Sequence, residues 1–171
     1  MNPMKEIKIG KITLNIGVGK NQSILDKALL LLKELSGVKP VKTITQKRIA
    51  QWGLRAGLPI GCKVTLRGEK AKEILIRLLQ SKENILTEKQ FDDYGNIAFG
   101  IPEYINIPGA KYNPEIGIIG LEVCITLERA GFRIKRRKNF KKKIPKKHSI
   151  SRSEAIKFMQ KEFNVKTGDE E

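Results

Sequence analysis

Two stretches of strict apolar–polar alternation limit the architectures open to this chain. From Lys11 to Val18, the apolar Ile12, Leu14, Ile16 and Val18 alternate with Lys11, Thr13, Asn15 and Gly17. From Leu121 to Glu128, Leu121, Val123, Ile125 and Leu127 alternate with Glu122, Cys124, Thr126 and Glu128. A period of two is that of a β-strand, whose successive side chains point to opposite faces. Strands patterned this way have one face covered and one face wet. The segments PVKTITQ, CKVTLRG and GNIAFGI supply shorter strands.

Between the strands the period changes to that of a helix. Leu25, Ala28, Leu29, Leu32 and Leu35 form one stripe, with Ser23 and Asp26 at a capping-box-like spacing and Gly37 as the stop. Ala71, Ile74, Leu75, Leu78 and Leu79 form a second stripe, and Ile156, Met159 and Phe163 an inward set on a last helix. The expected fold is α+β: a mostly antiparallel sheet with helices packed largely on one face, a long basic loop and a basic C-terminal arm. At 171 residues the chain suits one domain. Its parts would be residues 1–132 as the body, 133–148 as the arm, and 149–171 as a helix and acidic tail. The end, GDEE, is expected to be disordered. Cys62 and Cys124 are expected to be small buried strand residues.

Charge narrows the function. The net charge is +16, and its distribution is uneven. Residues 37–68 hold seven Lys or Arg and residues 133–148 hold ten, with no acid in either window; the remainder carries 17 basic and 18 acidic residues. Unopposed charge of one sign disfavours a compact state through self-repulsion, so such windows imply an anionic partner. A polyanion fits best. The arm, RIKRRKNFKKKIPKKH, has only Ile134, Phe140 and Ile144 as sizeable apolar residues, and Pro145 breaks any helix, so it is not a membrane-surface helix. It reads as an extended arm that becomes ordered on a nucleic acid backbone. No apolar run has the length of a membrane span, and MNPMKEIKIGK lacks the apolar core of a signal peptide.

The segment NIGVGKNQS, residues 15–23, resembles a phosphate loop but fails both nucleotide-binding patterns. A P-loop would need glycine where Leu14 stands and Ser or Thr where Asn21 stands; a Rossmann turn would need glycine at Gln22. His148 is the only histidine, and no paired-cysteine spacing exists, so a His triad and a two-His or zinc site are excluded. No enzyme activity, cofactor or metal is expected. Two readings of the corner stay open. Its glycines let N–H groups approach a backbone phosphate, with Lys20 adding charge, or they serve only the turn.

LNIGVGKN, GVKPVKT, RAGLPIGCKVTLRGEKA, FDDYGNIAFGIPEYI, PGAKYNPEIGI and LERAGFRIKRRK occur in this order. Together they resemble the ribosomal protein L-five family, which carries 5S rRNA on the large subunit. The likeness runs from about residue 4 to residue 165, and KKHSISRSEAIKFMQKEFNV is similar to the archaeal branch. Trp52 stands where the family commonly has Phe, and Ala56 where a basic residue is frequent. ERAGFR replaces a Pro-Gly-Tyr version at the start of the arm.

The resemblance implies a ribosomal structural protein of the central protuberance, in the cytoplasm on the ribosome. Its implied partners are 5S rRNA, large-subunit rRNA, the elbow of P-site tRNA and the small-subunit protein S-thirteen. For 5S rRNA the expected contacts are Asn15 and Lys20 at the corner, and Lys39, Thr43, Gln46, Lys63, Thr65 and Arg67 on the second and third strands, with Thr45 offering a further hydroxyl. Such groups hydrogen-bond phosphates and 2′-hydroxyls without reading much sequence. The loop KRIAQWGLRAGLPIG is the expected tRNA contact. Lys47, Arg48 and Arg55 would reach phosphates, and Trp52 would offer a flat face, its alternative being a place in the core. Further RNA contact is expected from Arg133, Lys135, Arg136, Arg137, Lys138, Lys141, Lys142 and Lys143. INIPGAKYNPEIG is a candidate for the small-subunit contact or, equally, a plain structural loop. The alternative, a sequence-specific DNA-binding regulator, would need a basic recognition helix; here the charge lies on loops and strands.

Overall fold

The long alternating segment near the N-terminus becomes the axis of the molecule. In a computed structural model, which describes residues 2–168, β1 runs over Ile7–Gly17, and its apolar set Ile12, Leu14 and Ile16 is buried. The other strands of the main sheet are β2 (Val41–Ile44), β3 (Pro59–Leu66), β5 (Asn96–Ile101) and β6 (Leu121–Arg129). Their order is β2-β3-β1-β6-β5, and every neighbouring pair is antiparallel. The register of β1 shifts between Ile9 and Lys11, a bulge at Gly10. Two short strands, β4 (Ile85–Leu86) and β7 (Lys166–Thr167), pair in parallel as a separate two-stranded sheet that nothing in the sequence pattern announced.

Helices α1 (Gln22–Ser36) and α2 (Glu69–Gln80) pack on the apolar face, α1 against β3 and α2 against β1. Helix α3 (Arg152–Phe163) contributes Ala155 and Met159 to the same continuous core, where Ile12, Leu14, Leu75, Val123 and Ile125 are fully enclosed. Burying one such side chain contributes about 1.5–3 kcal/mol, which is what holds the helices to the sheet.

Helix α1 starts at Asn21 with no side-chain cap, so Ser23 and Asp26 do not form the expected box; Asp26 instead pairs with Lys42 on β2 at 3.7 Å. Leu31 is buried and Leu29 and Leu35 only partly so, a rotation of the expected stripe. Gly37 does stop the helix, at φ 63°, a left-handed conformation suited to glycine. The capping box appears on α3, where Ser151 and Glu154 cap each other reciprocally. Cys62 is buried as expected; Cys124 is not, because it lies on the uncovered face of β6. Asp169, Glu170 and Glu171, most of the acidic tail, lie outside the described residues.

Candidate nucleic-acid interface

Among the described residues no helix covers the polar face of β3, β1 and β6, whose side chains alternate between buried and open along each strand. Strand pairing sets its side chains in rows. One row reads Val41, Lys63, Asn15, Glu122 and Gly100 across five strands; the next reads Thr65, Thr13, Cys124 and Ala98. Thr43 stands over Gly61 and Gly17 in a third. Asn15, Thr43, Lys63 and Thr65 are thus brought onto one surface, as the alternation implied. Lys11 and Thr13 share it; the same alternation marks them, although they are not among the expected contacts. Asn15 donates its amide to Glu122 at 3.1 Å, which fixes its orientation. Gly17, Gly100 and Gly120 help to leave a shallow groove of about 520 Å³ beside Asn15 and Glu122.

The first corner is wired differently from a phosphate loop. The N–H groups of Val18 and Gly19 both donate to the Ile60 carbonyl, at 2.9 and 3.0 Å, so they hold β3 rather than face a ligand. For these two groups the turning role is the one the structure supports. Lys20 remains exposed, and its Cδ lies 3.8 Å from where a Cβ at Gly53 would be. The corner and the tip of the basic loop are therefore neighbours.

That loop is a built element. Thr45 N–H and Oγ1 both donate to the Leu58 carbonyl, Gly57 N–H donates back to Thr45, and Ile49 pairs with Leu54. Thr45 is buried, so its hydroxyl serves the loop and is not free for RNA. A 3₁₀ turn at Ala50–Trp52 ends on Gly53 at φ 65° and lifts Trp52 to 66% exposure, which removes the core-packing role for its ring. Lys47, Arg48 and Arg55 are exposed beside it, and Lys39 and Gln46 are exposed just beyond the two ends of β2. Pro59, Ile60 and Gly61, expected in the loop, are the first residues of β3.

The arm departs most from its expectation. It is a closed loop rather than an extended arm. His148 Nε2 lies 2.9 Å from the Ala130 carbonyl, and its ring stacks edge-to-face on Phe132 at 5.7 Å. The Arg129 guanidinium, buried at the base, donates to the His148 and Ser149 carbonyls and to Glu154 at 2.7 Å. Inside the loop, Lys142 N–H reaches the Ile134 carbonyl and Arg137 Nε the Phe140 carbonyl. Its cations, Arg133, Lys135, Arg136, Arg137, Lys138, Lys141, Lys142 and Lys143, are all exposed.

The two basic windows meet at the β1 bulge. Arg67 donates to the Gly10 carbonyl at 3.1 Å, the Glu128 side chain lies against Gly10, and Arg136 pairs with Glu128 at 2.8 Å. The basic surface runs from the loop tip, along the open face of β3 and β1, into the arm. Among the described residues only Lys42 and Arg136, of the 17 cations in the two windows, form an ion pair with a carboxylate. The outer surfaces of α1 and α2 carry both signs, Asp26, Lys27, Lys33 and Glu34 on one and Glu69, Lys70, Lys72 and Glu73 on the other, and neither has the basic face of a recognition helix.

Nucleophilic chemistry has no support here. Burial pushes the Cys62 thiol up to about 11, and Cys124 is also raised, by partial burial first and Glu122 second, against the opposing charge of Lys11. Thiolates would be scarce at neutral pH. Among the described residues no His, Cys, Asp and Glu group could hold a metal, and no helix is long and apolar enough to cross a membrane.

Comparison with known proteins covers both halves of the chain. The model of ribosomal protein L5 matches residues 2–55, and that of the ribosomal L5 family C-terminus matches residues 59–166. The large ribosomal subunit protein uL5 of Sulfurisphaera tokodaii is 50% identical over 166 residues, covering 96% of this chain and 94% of the relative. That of Nanoarchaeum equitans is 52% identical, covering 96% and 97%, and that of Methanobrevibacter smithii 46% identical with the same coverage. With both family models in sequence order and relatives aligned over nearly their whole length, the chain belongs to the ribosomal protein L5 family.

Proposed function

We propose that this chain is a structural constituent of the large ribosomal subunit that holds 5S rRNA through the open face of its sheet and its basic arm. The observation that carries the reading is the run of exposed and half-buried Lys, Arg, Thr and Asn from the loop tip to the arm, in which, among the described residues, Lys42 and Arg136 are the cations paired with a carboxylate and Glu122 is held by Asn15. A sheet presenting hydroxyls, amides and cations suits RNA, which is met through phosphates, 2′-hydroxyls and shape. Asn15, Lys63, Thr65 and Arg67 form the centre of this seat, with Lys20, Lys39, Thr43 and Gln46 at its margin.

The loop carries a second contact, to the elbow of P-site tRNA, through Lys47, Arg48, Arg55 and the exposed ring of Trp52. The segment from Ile105 to Gly117 faces the small-subunit protein S-thirteen. It is tied to the body by Arg77, which donates to the Pro108 carbonyl, and by Tyr104, whose hydroxyl accepts from Asn113 N–H, and it exposes Tyr112. Filter binding of the full chain to 5S rRNA and to a random DNA duplex of equal charge tests the central claim. Tighter retention of 5S rRNA at physiological salt is expected. Equal affinity for the two would overturn it.

A further inference from the structure

The arm and Tyr94 line a half-open cavity of about 550 Å³, within the about 300–1,000 Å³ span of small-ligand sites. Six of its ten lining residues are Lys or Arg, and none is acidic. Lys141, Lys142 and Lys143 follow one another along it, and among the described residues only Arg136 of its cations is neutralised, by Glu128. The rest of the lining includes two aromatic rings. Phe132 is braced by His148. Tyr94 is 72% exposed, yet its backbone is fixed, because its N–H donates to Asp92 Oδ1 at 2.8 Å in a turn closed by Gly95 at φ 76°.

Each half of this lining asks for a different ligand property. A concave cluster of unopposed cations is favourable only around an anion. An exposed aromatic ring with its backbone held is a platform for a flat, π-rich group. A nucleotide has both properties, a base and flanking phosphates. In a double helix the bases are paired and stacked away from any such hollow, whereas an unpaired nucleotide splays its base outward. We propose that the arm cavity receives one looped-out nucleotide of a bound RNA, its base against Tyr94 and its phosphates on Lys141, Lys142 and Lys143. This rests on the RNA-binding reading above and adds to it a preference for RNA with an unpaired nucleotide.

The test uses the full chain and four probes: a paired RNA duplex, the same duplex with one bulged 2-aminopurine, the same bulge made abasic, and free AMP. Bulged RNA is expected to bind at least about 5-fold tighter than paired RNA, the low end of base–aromatic stacking, and its fluorescence to be quenched on binding. The abasic bulge should lose that advantage. Tyr94→Leu should abolish both preference and quenching while leaving paired-duplex affinity within about twofold, since stacking rather than charge is removed; Tyr94→Phe should keep both. Equal affinity for bulged and paired RNA, or a preference that survives Tyr94→Leu, overturns the proposal. Displacement of the bulge by AMP at concentrations matching the RNA affinity would do the same, by assigning the cavity to free nucleotides. Binding of 5S rRNA is measured in parallel: its loss in the unaltered chain sinks the ribosomal reading, while its retention without a bulge preference sinks only this inference.

Discussion

A methyl group added at Gly61 would sit 2.6 Å from the Ile16 carbonyl oxygen and 3.0 Å from Thr43 Oγ1. The first neighbour is backbone in the middle of a ladder and has no room to give. Gly61→Ala is therefore expected to cost about 1–3 kcal/mol, the range for overpacking, read as a lower urea midpoint at unchanged slope. Gly10 looks similar in sequence but differs in kind, because its added methyl would meet the flexible end of Glu128. No pattern of glycines distinguishes the two sites; only the packing does. The same holds for Thr43 and Thr45, equivalent hydroxyls on paper. One stands on the open face, and the other donates to Leu58 inside the loop base. Asn15, Lys63 and Thr65 were legible because period-two alternation assigns a face without any knowledge of partners.

At the scale of elements, the arm is held by α3. Glu154 lies below its ordinary value of 4.5, chiefly because it accepts the Ser151 N–H; burial works against this, and Arg129 and the Ser151 hydroxyl add to the lowering. A carboxylate depressed on folding adds stability above its unfolded value, and that stability is lost as pH falls through the folded value. Glu154→Gln is thus expected to lower stability at pH 7, with the gap to the unaltered chain closing as pH falls below the ordinary value of 4.5 and through the folded one. Urea midpoints of both at pH 7, 5 and 3 check this. The basic loop makes a separate prediction. Arg48 and Arg55 are exposed beyond the Thr45–Leu58 clasp, so replacing both by Ala should weaken tRNA binding and leave 5S rRNA binding within about threefold, the change expected from losing phosphate contacts at the margin of the seat. A collapse of 5S binding in the folded double variant would show that loop and sheet act as one surface, as the closeness of Lys20 to Gly53 allows.

Across the whole molecule, two acid-free windows far apart in sequence become one surface because β3, β1 and β6 are adjacent. Binding through many phosphate contacts should make affinity fall by roughly three orders of magnitude or more between ~50 and ~200 mM salt. A flat titration would point to contacts other than phosphate. The sequence alone determined the α+β class, the sheet's two faces, the number of main helices and the concentration of charge, since each is a local matter of period or composition. Tertiary structure alone decided that the arm closes on His148, Phe132 and Arg129, that the N–H groups of Val18 and Gly19 serve Ile60, and that Tyr94 and the arm's lysines line one cavity. These last contacts join residues tens of positions apart, and no local pattern encodes which distant group a side chain will find once the sheet has set its register.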